Sequence, residues 1–190
     1  RRNPTVQLSV QVAPSRYLVE DLLMNRAEFA VISLPFTHAK LETVPIFTDD
    51  MPLVVGPDHP FANRQRVSIE QVAAETLILF HADSVSRQIV DEHFAEHGLA
   101  PRVVMEMRSP EAMRKLVEAG VGVSFLPGVA VQESLEAGTL RAVAVEGIKF
   151  SRQIGVAWRR GRYFGPAIRQ LVEAVLVRFD KLDEGRAKIT

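Results

Sequence analysis

Apolar residues along this chain switch repeatedly between a spacing of two and a spacing of three and four, so strands and helices are taken in turn. Val6, Leu8, Val10 and Val12 alternate with polar neighbours and predict a strand over 6–12. Ser15 predicts the cap of a helix carrying Leu18, Val19, Leu22 and Leu23 on one side, and 29–32 is the next strand. Residues 43–55 are extended, but Pro45 and Pro52 interrupt pairing, which suits a strand passing between two sheets. Ser68 opens a short helix to 72, and the apolar run 77–80 has the length of a buried strand. An amphipathic helix over 84–97 turns Ile89, Val90 and Phe94 inward and closes at Gly98, and 103–107 is a strand. A helix over 127–137 ends at Gly138, and strands follow at 140–145 and 154–158. The last helix carries Ile168, Leu171, Val172, Val175, Leu176 and Phe179 as one stripe, after which the polar tail is expected to fray.

Residues 105–127 hold the best-marked unit of the chain. Ser109 is a good N-cap, Pro110 suits the first helical position, and Glu111 lies in the first turn where the helix dipole favours an anion. Ala112, Met113, Leu116 and Val117 form the apolar stripe, and Gly120 falls where a left-handed C-terminal turn belongs. Val121, Val123, Phe125 and Leu126 then make a strand stopped by Pro127, which completes a strand, helix, strand crossover. Ser124 is the polar residue left near the end of that buried strand, where ligands of open α/β sheets tend to sit.

Composition narrows the function. The 190 residues suffice for one domain or two small ones, and 47% hydrophobic against 24% charged describes an ordinary globular chain. Lys plus Arg and Asp plus Glu both number 23, so no global positive field exists to hold a polyanion, and the chain alone is a poor nucleic-acid binder. Zero cysteines exclude disulfides, thiolate catalysis and Cys-ligated metals, and fit a reducing compartment. No apolar run approaches the roughly 20 residues needed to cross a bilayer, and Arg-Arg-Asn-Pro lacks a signal-peptide core.

Seven elements in order carry a family resemblance. They are Asn-Pro-Thr-Val-Gln-Leu-Ser-Val at 3–10, Ala-Glu-Phe-Ala-Val-Ile at 27–32, Pro-Leu-Val-Val-Gly-Pro-Asp-His-Pro-Phe-Ala at 52–62 and Leu-Ile-Leu-Phe at 77–80. Arg-Ser-Pro-Glu-Ala at 108–112, Val-Glu-Ala-Gly-Val-Gly-Val-Ser-Phe-Leu-Pro at 117–127 and Trp-Arg-Arg-Gly-Arg at 158–162 complete the set. With these the chain resembles the effector-binding domain of a LysR-type transcriptional regulator. The resemblance implies an α/β fold of two Rossmann-like lobes with type-2 periplasmic-binding-protein architecture, joined by two crossover strands. Lobe I is then 1–49 plus 150–190 and lobe II is 50–149, with the crossovers near 47–52 and 146–150. It also implies a winged helix-turn-helix, a linker helix, and the first strand and helix of lobe I ahead of the Asn-Pro element. On that reading these are missing here, and DNA is reached only through the parent protein.

The resemblance further implies a small-molecule effector in the cleft between lobes, met by loops that map to Pro14 and Ser15, to Ser33 and Leu34, and to His81, Ser84, Val85 and Ser86. Ser84 and Ser86 stand at a helix start, where unpaired N–H groups and the positive dipole end favour an anion such as a carboxylate. Ser84 also suits a plain N-cap, and Ser33 a turn hydroxyl. Arg87 is a secondary candidate, since a first-turn Arg is commonly solvated. A lone His81 is commonly structural. The expected partners are the effector, a second sensing domain in a head-to-tail homodimer, and a tetramer of the full-length protein, with no cofactor and no membrane. The expected location is the cytoplasm.

Enzyme chemistry finds no support in the sequence. Asp49 and Asp50 point to opposite faces of an extended chain, so they are not an acid and base pair. His93 and His97 have metal-ligand spacing on a helix, but no Glu follows His93, and a solvated face accounts for them. A periplasmic-type solute-binding protein for a small organic acid is the alternative of the same architecture.

Overall fold

Ser109, Pro110 and Gly120 act on α4 (Pro110–Glu118) as the sequence predicts. The Ser109 hydroxyl accepts from the Ala112 N–H at 3.2 Å, Pro110 takes the first turn, and Gly120 turns the chain at φ 72°. Met113 and Val117 are wholly buried, so this stripe anchors the helix on the sheet. The computed structural model describes residues 7–186, with side chains for 7–176. Its contacts divide the chain into two units, Arg1–Thr48 with Gln153–Thr190, and Asp49–Arg152.

The second unit is built on β3 (Leu53–Val55), β4 (Arg66–Val67), β5 (Leu77–Phe80), β6 (Val103–Met107), β7 (Ser124–Phe125) and β8 (Arg141–Val145). One sheet has the order β4-β8-β3-β7, while β5 and β6 form a parallel pair. A parallel bridge from Leu77 to Val123 joins the two sets, with Val123 N donating to Thr76 O at 2.9 Å and Ile78 N to Val123 O at 3.0 Å. Helices α2 (Ile69–Ala73), α3 (Val85–Glu96), α4 and α5 (Gly128–Ala137) accompany these strands. One core gathers Met51, Leu53, Leu79, Phe94, Phe125 and Phe150, and a second gathers Val54, Ile78, Met113, Val117 and Leu126. Successive strand residues thus feed two cores, because alternate side chains leave a strand on opposite sides.

The first unit contains α1 (Ser15–Leu23), β1 (Ala30–Leu34), α6 (Pro166–Arg186) and most of two long strands, β2 (Leu41–Asp50) and β9 (Ser151–Arg159). The sheet order is β1-β9-β2, with β1 antiparallel to β9 from Ala30 opposite Ala157 to Leu34 opposite Gln153. Val19, Leu22, Ile32 and Leu34 pack together, and Val172 of α6 is buried with Ile46, Phe47 and Val156. Phe179, expected in the same stripe, lies outside the described side chains.

Four expectations are corrected. Residues 7–14 carry no strand pairing, and Leu8, Val10 and Val12 are exposed, Val12 at 95%. Alternation supplies a face, but a strand also needs a neighbour to take its backbone hydrogen bonds. Pro14, not Ser15, occupies the N-cap of α1. The strand expected across 121–126 is paired as a ladder only at β7, with Val123 in the isolated bridge. Helix α6 runs on to Arg186 where fraying was expected; Lys181, Leu182 and Glu184 are good helix formers, and Gly185 falls only in the last turn.

Asp49 and residues 150–152 group with the second unit. Met51 N donates to Phe150 O at 2.8 Å, and Arg152 pairs with Asp49, so both crossing strands are tied together on that side.

A cluster of hydrogen bonds around Glu118 joins α4 to α5 and the turn after it. The Ser134 hydroxyl donates to its carboxylate at 2.7 Å, and Lys115, Thr139 and Arg114 donate at 3.0, 3.0 and 2.8 Å. Led by the Ser134 bond and opposed by burial, these bonds hold the Glu118 pKa down at about 2. A depressed carboxylate stabilises the fold above its unfolded pKa, and that contribution fades as pH falls from about 4.5 toward about 2. Glu118→Gln is therefore expected to lower the melting temperature at pH 7 and to flatten its dependence on pH between 4.5 and 2, read by circular dichroism melts.

Gly122 passes directly against β5. A Cβ there falls on the Thr76 carbonyl oxygen, well inside van der Waals contact, and backbone on both sides is held by the Thr76 and Val123 hydrogen bonds. Gly122→Ala is expected to cost about 2 kcal/mol of stability, measured as a lower urea midpoint with unchanged slope.

Candidate functional site

Leaving β5, whose four residues are all buried, the chain turns at His81 and starts α3 four residues later. His81 N donates to Met107 O at 2.9 Å, which carries the β5–β6 pairing to the end of both strands, and Ser84 N donates to His81 O at 2.9 Å. The turn is clamped by charge. Asp83, nearly buried, accepts two bonds from Arg108 at 2.9 and 3.0 Å, and its carboxylate lies 2.9 Å from His81 Nδ1. A fork-to-fork pair fixes both partners in orientation as well as distance.

Three helices of this unit follow a serine at the N-cap, and they differ. Ser68 accepts from Gln71 N and Ser109 from Ala112 N, but Ser84, in the same extended conformation, makes no cap hydrogen bond with its side chain. The backbone oxygen of Ser84 receives Arg87 N and Gln88 N at 3.1 and 3.0 Å. The first turn of the 12-residue α3 is thus left with N–H groups that its own cap does not meet.

Behind this start lies a polar cluster. Asp49 of β2 is 0% exposed and Ser86 2%, and the side chain of Arg152 from β9 joins them. Arg152 Nη2 and Nε donate to Asp49 Oδ2 at 2.9 and 3.2 Å, and Nη1 donates to Ser86 Oγ at 3.0 Å. A charge so deep is tolerated only when paired and hydrogen-bonded. Sequence reasoning missed Arg152 and misjudged Asp49 as a mere neighbour of Asp50. The available signal was phase: Phe47, Asp49 and Met51 share one face of an extended segment, and all three are buried.

Arg87 is neither solvated nor spare. Its Nε bonds both oxygens of Asp91 at 2.8 and 2.9 Å, and Nη1 reaches Phe80 O at 3.0 Å and Glu106 at 2.8 Å. Burial opposes its charge, but the bonds to Asp91 and Glu106 win and raise its pKa further, while the Arg87 hydrogen bond lowers that of Glu106. Arg87 therefore staples α3 to the ends of β5 and β6. Ser124 is likewise committed, its hydroxyl donating to Ile78 O at 2.7 Å in the core.

The remaining expected residues lie in the first unit. Pro14 O accepts from Tyr17 N at 2.9 Å, and Ser15 Oγ accepts from Ser33 N at 3.1 Å, which brings the start of α1 to β1. Leu34 is a core side chain whose Cδ1 fills the space beside Gly155. The structure so assembles two groups, Pro14, Ser15, Ser33 and Leu34 in one unit, and His81, Ser84, Val85, Ser86 and Arg87 in the other. A shallow depression of about 310 Å³ lined by Arg66, Glu146 and Lys149 contains none of them.

No helix among the described residues is long and apolar enough to cross a membrane, and no three His, Asp or Glu side chains gather as metal ligands. His97 Nδ1 instead bonds the His93 carbonyl at 2.8 Å, and His93 lies edge-on to Phe150.

The model of the LysR substrate binding domain matches residues 1–180. This chain belongs to that family. The LysR domain is 28% identical over 176 residues to the RuBisCO operon transcriptional regulator of Allochromatium vinosum, covering 93% of the chain and 58% of that protein. It thus spans little more than half the length of the curated relatives it matches, and these are transcriptional regulators. Its fold is shared with the regulatory domain of CcmR from Synechocystis PCC6803, solved with 2-PG, at a TM-score of 0.81 and 20% identity over 94% of this chain and 86% of that one. The effector binding domain of QuiR, solved with shikimate, gives 0.77 at 22% identity over 89% and 79%. The two-unit α/β fold of this LysR domain is therefore the periplasmic-binding-protein-like fold of effector-binding domains.

Removing the cation of the buried cluster is expected to be costly. Arg152→Met leaves the Asp49 carboxylate buried without its guanidinium, for a loss of about 3 kcal/mol. Asp49→Asn combined with Arg152→Met should recover a substantial part of it, measured by urea unfolding of the single and double variants.

Proposed function

We propose that this chain is the effector-sensing module of a LysR-type transcription regulator and that the start of α3 receives a small organic anion. The observation that carries the reading is Ser84, which holds the N-cap position of a 12-residue helix without capping it. A first turn with unmet N–H groups and the positive end of the helix dipole favours a carboxylate. Ser84, Val85, Ser86 and His81 are the residues assigned to the anion in this unit, with Pro14, Ser15 and Ser33 assigned to the effector from the other. Leu34 and Ser124 support the site through packing, and Arg87 through the helix.

The two units serve as regulatory lobes I and II, with DNA contacted by a helix-turn-helix of the parent protein in the cytoplasm. The sensing domains pair as a homodimer, and a tetramer forms in the full-length regulator. An effector that binds one arrangement of the domain better than another shifts the population toward it, and so changes how the regulator engages DNA. The role is recognition, not catalysis. QuiR, solved with shikimate, and CcmR, solved with 2-PG, support a small-molecule effector for this fold. Relatives that are transcriptional regulators weigh against a periplasmic solute-binding role.

The test is a thermal-shift screen of the chain against shikimate, 2-phosphoglycolate and simple hydroxy acids at millimolar concentration. At one hundred times its Kd a ligand stabilises by about 2.7 kcal/mol, so a bound acid should raise the melting temperature by several degrees. Ser84→Trp should abolish the rise. No stabilisation by any acid, or the same stabilisation in the Ser84→Trp variant, would overturn the assignment.

A further inference from the structure

We infer that Asp49 and Arg152 are positioning residues for effector recognition, acting through the hydroxyl of Ser86; the inference rests on the reading of α3 as the anion site. The geometry leaves little freedom. A guanidinium has five N–H donors and no acceptor, so in its 3.0 Å contact with Arg152 Nη1 the Ser86 oxygen must accept. The hydroxyl proton of Ser86 is then directed elsewhere. Ser86 has no other side-chain hydrogen bond among the described residues, although it is 2% exposed. A buried donor without an acceptor is costly unless something supplies one.

Asp49 makes the arrangement rigid. It holds Arg152 through Nε and Nη2, two adjacent donors of one plane, so the third contact to Ser86 is set by the same plane. The pair is neutral in sum, and its effect on an incoming anion comes from orientation of a neutral O–H. Two residues earlier, the Ser84 hydroxyl also lacks a cap bond. Ser86 therefore supplies one fixed O–H donor beside the N–H groups of the first turn, a donor set that matches the two oxygens of a carboxylate.

The experiment titrates the ¹⁵N-labelled chain with sodium acetate at pH 7, holding ionic strength constant with sodium chloride, and follows the amides of residues 84–88 by NMR. In the wild-type chain these amides shift saturably. Ser86→Ala weakens acetate about ten-fold, the size of one lost hydrogen bond to a charged acceptor. Arg152→Lys keeps the cation but not the planar fork, and weakens acetate to a similar extent. In the Ser86→Ala background, Arg152→Lys adds nothing, which a merely stabilising role of Arg152 would not produce. If Arg152→Lys fails to fold, Asp49→Asn replaces it in the same cycle, with the same lack of further loss expected. Unchanged acetate affinity in Ser86→Ala, or additive losses in the cycle, overturns the positioning role and leaves the anion site standing. Absence of any shift at 84–88 in the wild-type chain overturns the anion site itself, and the positioning role with it.

Discussion

The carboxylate of Asp49 is wholly buried, and Arg152 meets it with two hydrogen bonds. An unpaired charge at that depth would cost several kcal/mol. The pair constrains three segments at once, since Asp49 is next to last in β2, Arg152 is second in β9, and the same guanidinium holds Ser86 in the first turn of α3. The strands that leave this unit and the helix that starts at the candidate site therefore share one polar anchor. Pairs of this kind contribute geometry more than net stability, because desolvation offsets much of the Coulomb gain.

Around that anchor, other charges are spent on holding loops. Arg108 clamps Asp83 before α3, and Arg87 clamps the helix itself to the ends of β5 and β6. These arginines explain how the helix start keeps its place without a side-chain cap from Ser84. The same logic separates Ser84 from Ser68 and Ser109, whose hydroxyls are used in local capping.

Much of the fold was legible in the sequence because it is written in local terms. Ser109, Pro110 and Gly120 mark both ends of α4, and Val90 and Phe94 mark the buried face of α3. Legibility failed where a segment depended on a neighbour. Leu8, Val10 and Val12 alternate well, yet residues 7–14 take no sheet partner, and the run 121–126 pairs as a ladder at only two positions. Site residues were harder still. Ser124 reads as a polar ligand at a strand end and turns out to bond Ile78 O in the core, while Arg87 reads as solvated and turns out to be stapled.

The amino-acid order alone determined where α3 and α4 begin and stop, which of their faces turn inward, and the family to which the chain belongs. These follow from interactions within a few residues or from a pattern of types. Only the tertiary structure decided that Asp49 meets Arg152, 103 positions away, and that both bear on Ser86. A buried charge announces in sequence that it needs a partner, by its phase between Phe47 and Met51. It cannot name that partner, because the choice is made by how two distant strands come to lie beside one helix.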